Sequence, residues 1–392
     1  VSEKQNKPIA NNVLGGYGTT IFEVTSALAL EHNSINLGQG FPDVDGPEEI
    51  RRIAADALMD GPNQYPPLMG IPELRQAVAT HNKRFYDLDV DWQTEVMITS
   101  GATEALCDCF MGLLNAGDEV VLIEPLYDSY LPIIRHVGAV PKLVRVEPPH
   151  WELPYEDLEK AFSDKTKLLV LNSPMNPSGK VFGKEELEFL ASLVQKHDCY
   201  VVCDEVYEHL VFDQHKHHPL MTLPGMRERC LRIGSAGKTF SLTGWKIGYI
   251  TAPPALMQAV TKAHQFVTFT IPPNLQKAVA AGLAFPDSYY REFTATMQAQ
   301  RDILAKGLED VGFGVLDSQG TYFLTVDFSA LGFDGDDAEF CRYITVEAGV
   351  TAVPTGAFYQ ENGPKNFVRF CFCKQPALLN EAVDRLRKFF LK

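Results

Sequence analysis

Residues 234–248 read G-S-A-G-K-T-F-S-L-T-G-W-K-I-G and place Lys238 between a small-residue run, Ser235, Ala236 and Gly237, and the aromatic Phe240. A lysine that condenses with an aldehyde must shed its proton near neutral pH, which takes burial or a neighbouring cation. A phosphate nearby would in turn want Lys246 and a hydroxyl such as that of Ser235. Taken alone, G-K-T is also an ordinary glycine-rich turn with a surface lysine. It is not a nucleotide P-loop, whose first glycine would fall on Arg232.

The other chemistry-bearing residues lie mostly upstream. Asp204 follows the apolar run 200–203, where an acid is costly unless a cation or strong donors face it. At about 4 Å and an effective dielectric near 20, a carboxylate stabilises a cation by roughly 4 kcal/mol, or about three pKa units. That exceeds an ordinary surface pair and would keep an aromatic ring nitrogen protonated, able to accept electrons. Ser100, Gly101, Ala102 and Thr103 follow an apolar run and open a helical pattern, so their free N–H groups form an anion site. Residues 172–179, N-S-P-M-N-P-S-G, make a rigid polar turn. Residues 35–42 are a short extended piece closing in Gly and Pro, which suits backbone brought close to a ligand. Tyr127, after Glu124 and Pro125, reads by itself as a core or rim tyrosine. Tyr65, in the proline-stiffened turn 63–67, reads as a surface aromatic. Arg369, in F-V-R-F-C-F, lies opposite the phenylalanines by alternation, where most arginines are surface ion pairs.

Jointly, S-x-G-K-x-F, T-G-W-K-x-G, N-L-G-Q-G-F-P, N-Q-Y, G-A-T and N-x-P-x-N-P-x-G resemble the fold-type I, class I/II aminotransferases, and among them the methionine, glutamine and kynurenine group. The resemblance runs from about Gly15 to the C-terminus and implies pyridoxal 5'-phosphate as cofactor. It implies that Lys238 binds it covalently and that Ala102, Thr103, Ser235 and Lys246 hold its phosphate. Tyr127 stacks on the ring, Asp204 faces the ring nitrogen, and Asn176 and Tyr207 contact the phenolic oxygen. Gly40, Asn176 and Arg369 fall on the substrate side, Arg369 as a bidentate clamp on the α-carboxylate. Phe22 and Phe269 match side-chain-pocket positions and imply an apolar or aromatic substrate rather than a dicarboxylate. Tyr65 matches a tyrosine that reaches the neighbouring subunit's cofactor phosphate, so the resemblance implies a homodimer with shared active sites. Thr103 stands where some kynurenine-type members carry an aromatic, which brings the bacterial methionine branch nearer. The implied reaction is ping-pong transfer of the α-amino group of an apolar, aromatic, methionine- or glutamine-type L-amino acid to a 2-oxo acid. The alternative is cysteine-S-conjugate β-lyase activity, which begins with the same proton abstraction.

These residues need a scaffold. The 392 residues, 45% hydrophobic and 22% charged, suffice for one large and one smaller domain. Apolar runs at 96–99, 120–123, 168–171, 200–203 and 247–251 lack polar alternation, as strands buried on both faces do. Between them Leu106, Cys109, Phe110, Leu113 and Leu114, and later Leu187, Leu190, Ala191 and Val194, recur with helical period. The expected fold is therefore α/β, with ligands at the strand ends. With the resemblance, this becomes a large cofactor-binding domain with a mostly parallel seven-stranded sheet, like aspartate aminotransferase, plus a smaller α+β domain. The boundaries expected are an N-terminal arm at 1–45, packed with the small domain and substrate side, a large domain at 46–285 and a small domain at 286–392. In the last, 321–328 alternates like a half-exposed strand, and Leu379, Ala382, Val383, Leu386 and Phe390 share one face of a closing helix.

Composition excludes other classes. A net charge of -15 disfavours nucleic acid and anionic membrane as partners, and disfavours a DNA-binding regulator built on an aminotransferase-like domain. No basic start precedes an apolar segment and no apolar run spans a bilayer, so a cytoplasmic enzyme is expected. The eight cysteines sit mostly in apolar runs, as reduced thiols do, and form no C-x-x-C pair. The cluster His215, Lys216, His217, His218 reads as a solvated loop, and no metal is expected. Gly15, Gly16 and Gly18 lack the preceding strand of a dinucleotide fingerprint. The opening residues to about Ala10 are polar, as poorly ordered termini are.

Overall fold

The computed structural model describes residues 9–391, so positions 1–8 of the polar opening segment lie outside the described residues. A first short strand, β1 (Ile35–Asn36), precedes the large sheet. That sheet comprises β2 (Val96–Ser100), β3 (Glu119–Glu124), β4 (Val140–Arg145), β5 (Thr166–Asn172), β6 (Tyr200–Asp204), β7 (Cys230–Ser235) and β8 (Ile247–Thr251). Its order is β2-β8-β7-β6-β5-β3-β4. β8 runs antiparallel to β2 and β7, and the other pairings are parallel. Successive residues serve opposite faces: Val120 and Leu122 join one apolar cluster with Leu106 and Phe110, while Val121 and Ile123 join another with Leu187 and Val194. Each such fully buried side chain contributes roughly 1.5–3 kcal/mol, and this two-sided burial is why the strands read as unbroken apolar runs.

Five strands coincide with those runs; β4 and β7 do not. β4 is an edge strand that tolerates Pro141 and is mostly half-buried. β7 carries Arg232, buried and paired with Glu205 and Glu208, inside an otherwise apolar strand.

A second, four-stranded antiparallel sheet contains β9 (Gly314–Val315), β10 (Phe323–Asp327), β12 (Val353–Pro354) and β13 (Phe367–Cys371), in the order β12-β13-β10-β9. The helices Asp287–Val311 and Pro376–Phe390 pack together beside it, the latter burying Leu379, Ala382, Val383 and Leu386, with Phe390 half-buried. In place of the half-exposed strand expected at 321–328 stands β10, five residues of which four are buried. Phe323, Leu324 and Val326 all enter the core, and the Phe323 ring also lies under the Arg369 guanidinium at 3.8 Å. The N-terminal segment is fastened to this region, because β1 pairs in parallel with β11 (Val350–Thr351). No described helix is long and apolar enough to cross a membrane.

Candidate active site

Ser100, Glu124, Asn172, Asp204 and Ser235 are the last residues of β2, β3, β5, β6 and β7, so the turns that follow open at one edge of the sheet, the usual ligand side of such folds. A cleft of about 300 Å³ lies there, lined by Phe22, Gly40, Ala102, Thr103, Tyr127, Asn176, Asp204, Tyr207, Ser235, Lys238, Lys246 and Arg369. That is every residue singled out from the sequence except Tyr65 and Phe269. Those two rings meet edge to face at 5.5 Å, both exposed and outside this cleft.

Lys238 sits on the short helix Ala236–Thr239 that follows β7. Its Nζ donates to the Tyr322 hydroxyl at 2.8 Å. Burial lowers its pKa to about 8, against the opposing pull of negative groups that include Asp204, and Lys246 adds to the lowering. Asp204 is buried; its Oδ2 accepts from the Tyr130 hydroxyl at 2.6 Å, while Oδ1 has no partner. Burial raises the Asp204 pKa, and the Tyr130 bond, the nearby Val206 N–H and Lys238 only partly offset this. A buried carboxylate oxygen left bare costs free energy until a cation or donor meets it.

The anion turn is built from close backbone. Gly101 opens the helix Gly101–Leu113 at φ +71, where a side chain would be strained and its Cβ would lie 3.2 Å from Lys246 Nζ. Gly248 meets the same turn from β8, and a Cβ there would lie 2.6 Å from the Gly101 carbonyl carbon. Lys246, in left-handed backbone at φ +53, makes no ion pair with any described carboxylate. Thr103 Oγ1 and the Tyr127 hydroxyl are 3.3 Å apart, and the Glu124–Pro125 bond before Tyr127 is cis.

Across the cleft, Arg369 is fully buried rather than a surface ion pair. Nη1 donates to Asn176 Oδ1 and Nη2 to the Gly38 carbonyl, each at 2.8 Å, and Nε has no partner. Burial lowers its pKa to about 10. The Phe22, Phe323 and Phe358 rings surround the guanidinium at 5.3, 3.8 and 4.8 Å. A buried guanidinium with no carboxylate partner among the described residues is primed for an incoming one.

Sequence reasoning missed two participants. Tyr130 stands three residues after Tyr127 on the helix Tyr130–His136, and only the fold brings it to Asp204. Tyr322 was legible as part of a strand, with nothing in the sequence to pair it with Lys238. The solvated reading of the histidine loop needs correction: His215, Lys216 and His218 are exposed, whereas the His217 side chain turns inward, its Nε2 3.0 Å from Glu205 Oε2. The ion network around Arg232 draws it in. Two groups, His81 with Glu208 and the half-buried His209, and the buried Glu104 with Asp108 and His264, bring ligand-type atoms together. Internal contacts already engage them, with His81 Nε2 2.7 Å from His209 Nε2 and His264 Nδ1 2.8 Å from Glu104 Oε1.

A bare buried carboxylate oxygen, an amine with lowered pKa, a glycine-lined anion turn and an unpaired lysine in one cleft fit a pyridinium ring carrying an aldehyde and a phosphate. Comparison with known proteins agrees. Residues 32–386 match the profile of the family described as aminotransferase class I and II. Methionine aminotransferase of Escherichia coli K12 is 38% identical, with 98% of this chain and 99% of that protein aligned. Kynurenine–oxoglutarate transaminase 1 of Homo sapiens is 37% identical over 92% and 94%. The solved structure of N-succinyldiaminopimelate aminotransferase from Mycobacterium tuberculosis superimposes with a TM-score of 0.94 at 42% identity, covering 97% of this chain and 99% of that one. Aspartate aminotransferase of Thermus thermophilus superimposes with a TM-score of 0.89 at 30% identity over 97% and 100%. Sequence, fold and cleft thus converge, and the chain belongs to the class I and II aminotransferases, pyridoxal phosphate-dependent enzymes with the aspartate aminotransferase-like fold.

Proposed function

We propose that this aminotransferase binds its coenzyme covalently through Lys238 and moves the α-amino group of an apolar, aromatic, methionine-like or glutamine-like L-amino acid to a 2-oxo acid. The observation that carries the reading is the pairing, in one cleft, of the bare Asp204 Oδ1 with a lysine amine whose pKa is about 8. Asp204, fixed by Tyr130, would face the ring nitrogen, Asn176 and Tyr207 would face the phenolic oxygen and Tyr127 would cover the ring. Ala102, Thr103, Ser235 and Lys246 would receive the phosphate. Arg369 clamps the substrate α-carboxylate beside Asn176 and Gly40. Bound there, pyridoxal phosphate supplies the sink for the electron pair left when the substrate Cα–H bond breaks. Lys238 Nζ takes that proton and returns it elsewhere, as a general base and then acid whose pKa near neutrality suits both roles. The Phe22, Phe323 and Phe358 rings around Arg369 favour an apolar side chain over a second carboxylate, and the relatives named for methionine and kynurenine support this. Transfer is preferred to cysteine-S-conjugate β-lyase chemistry because the relatives carry transferase names.

The working unit in this reading is a homodimer. Tyr65 and Phe269 offer their rings outward, and Tyr65, Met59 and Phe266 are each more than 80% exposed, apolar surface suited to a partner. Tyr65 would serve the neighbour's phosphate and Phe269 its side-chain pocket. The arm at 1–45, large domain at 46–285 and small domain at 286–392 are kept as the working boundaries, supported by the β1–β11 pairing. The eight unbridged cysteines favour the reducing cytoplasm. Borohydride treatment of the coenzyme-loaded protein should leave a pyridoxyl mass on the Lys238 peptide, and Lys238→Ala should abolish it together with turnover. A substrate panel should favour methionine, glutamine or aromatic donors. A mass on another lysine would end the Lys238 assignment, and a dominant response to aspartate would end the pocket assignment.

A further inference from the structure

Tyr322 ties together three segments that are far apart in sequence. Its hydroxyl donates to the Gly40 carbonyl at 2.6 Å and accepts from Lys238 Nζ at 2.8 Å. A tyrosine hydroxyl has one proton. With that proton held by Gly40, the oxygen can only accept from the lysine, so it cannot occupy the amine's lone pair. The arrangement is closely packed. Tyr322 is 1% exposed and its ring meets Tyr207 edge to face at 5.1 Å. Gly40 has no room for a side chain, since a Cβ would lie 2.5 Å from the Phe323 ring and 3.2 Å from that of Tyr322. The preceding residue, Thr321, is a buried β-branched residue at φ +69, a conformation that persists only where its surroundings enforce it.

Resting on the assignment of Lys238 as the coenzyme-binding lysine, we propose that Tyr322 is a positioning residue for the amine whenever it is not covalently engaged. It takes one N–H of Lys238 and leaves the lone pair turned into the cleft, toward the substrate α-proton. Gly40, on the substrate side, sets the polarity of that contact.

The test uses Tyr322→Phe, which keeps the ring between Tyr207 and Phe323. Holoenzyme in its pyridoxamine phosphate form, where the lysine is free, is labelled with an amine-selective reagent across pH, and modification of Lys238 is read by mass spectrometry. Losing an acceptor that favours the ammonium should lower the labelling midpoint by about one pH unit. The variant's kcat should fall about tenfold with KM little changed. A midpoint equal to wild type would overturn the proposal, as would a loss confined to KM, since the phenol would then serve only as packing. Failure of the Lys238 assignment is distinguishable, because it would move the pyridoxyl mass to another peptide in the wild-type protein.

Discussion

Asp204 and Tyr130 divide one task. The sequence marks Asp204 as an acid after a buried run, but the oxygen left for a ligand is decided by Tyr130, which occupies Oδ2 and leaves Oδ1 bare. On the proposed assignment, replacing Asp204 by Asn should leave the phosphate-holding residues unchanged and remove the charge that would face the ring nitrogen. If the carboxylate supplies about 4 kcal/mol there, single-turnover amine transfer should slow by about a thousandfold, while bound coenzyme remains detectable by absorbance. An unchanged rate would mean that the ring nitrogen is served elsewhere. Arg369 teaches a related lesson, because alternation in β13 gives its neighbours' sides but not that both sides are buried.

The helix Gly101–Leu113 presents the anion turn at its first residues and is anchored one turn deeper. Glu104 holds the Ser100 N–H with one oxygen and lies 2.8 Å from His264 Nδ1 with the other, while His264 Nε2 is 2.9 Å from the Leu68 carbonyl in the loop that carries Tyr65. Asp108, with no hydrogen bond to either oxygen, faces Nδ1 at 3.6 Å. Burial opposes a charge on His264, but the facing carboxylates of Asp108 and Glu104 outweigh it and raise the pKa to about 9. A raised folded-state pKa contributes stability that is complete below the unfolded value near 6.5 and disappears as pH rises through about 9. Wild-type protein should therefore lose about 1–3 kcal/mol of unfolding free energy over that window that His264→Gln does not lose. Urea titrations of both proteins across the pH series measure the difference, and parallel curves would rule out an imidazolium at this joint.

For the whole molecule, the cleft draws on β1's flank, the large sheet and β10 and β13, yet Tyr65 and Phe269 stand outside it. If a second copy receives them, chains carrying Lys238→Ala and chains carrying Tyr65→Ala should complement each other, since a hybrid dimer contains one site with both residues intact. Each variant alone should be impaired, and co-expression should restore coenzyme-dependent turnover above either. Absence of any gain in purified hybrids would argue that each protomer's site is complete in itself.

The sequence alone determined the ligand chemistry and most of the large sheet. Motif residues at strand ends carry their signature locally, and strands buried on both faces must be apolar throughout. It did not determine β4, β7, the depth of β10 or Arg369, or the partners of Asp204 and Lys238. The partners depend on what another part of the chain packs there: Tyr130 from the helix after β3, Tyr322 from just before β10, Glu205 and Glu208 around Arg232. Hydrogen bonds and burial between distant segments leave no periodicity to read, because the sequence records what each residue can do and only tertiary packing decides which atom it meets.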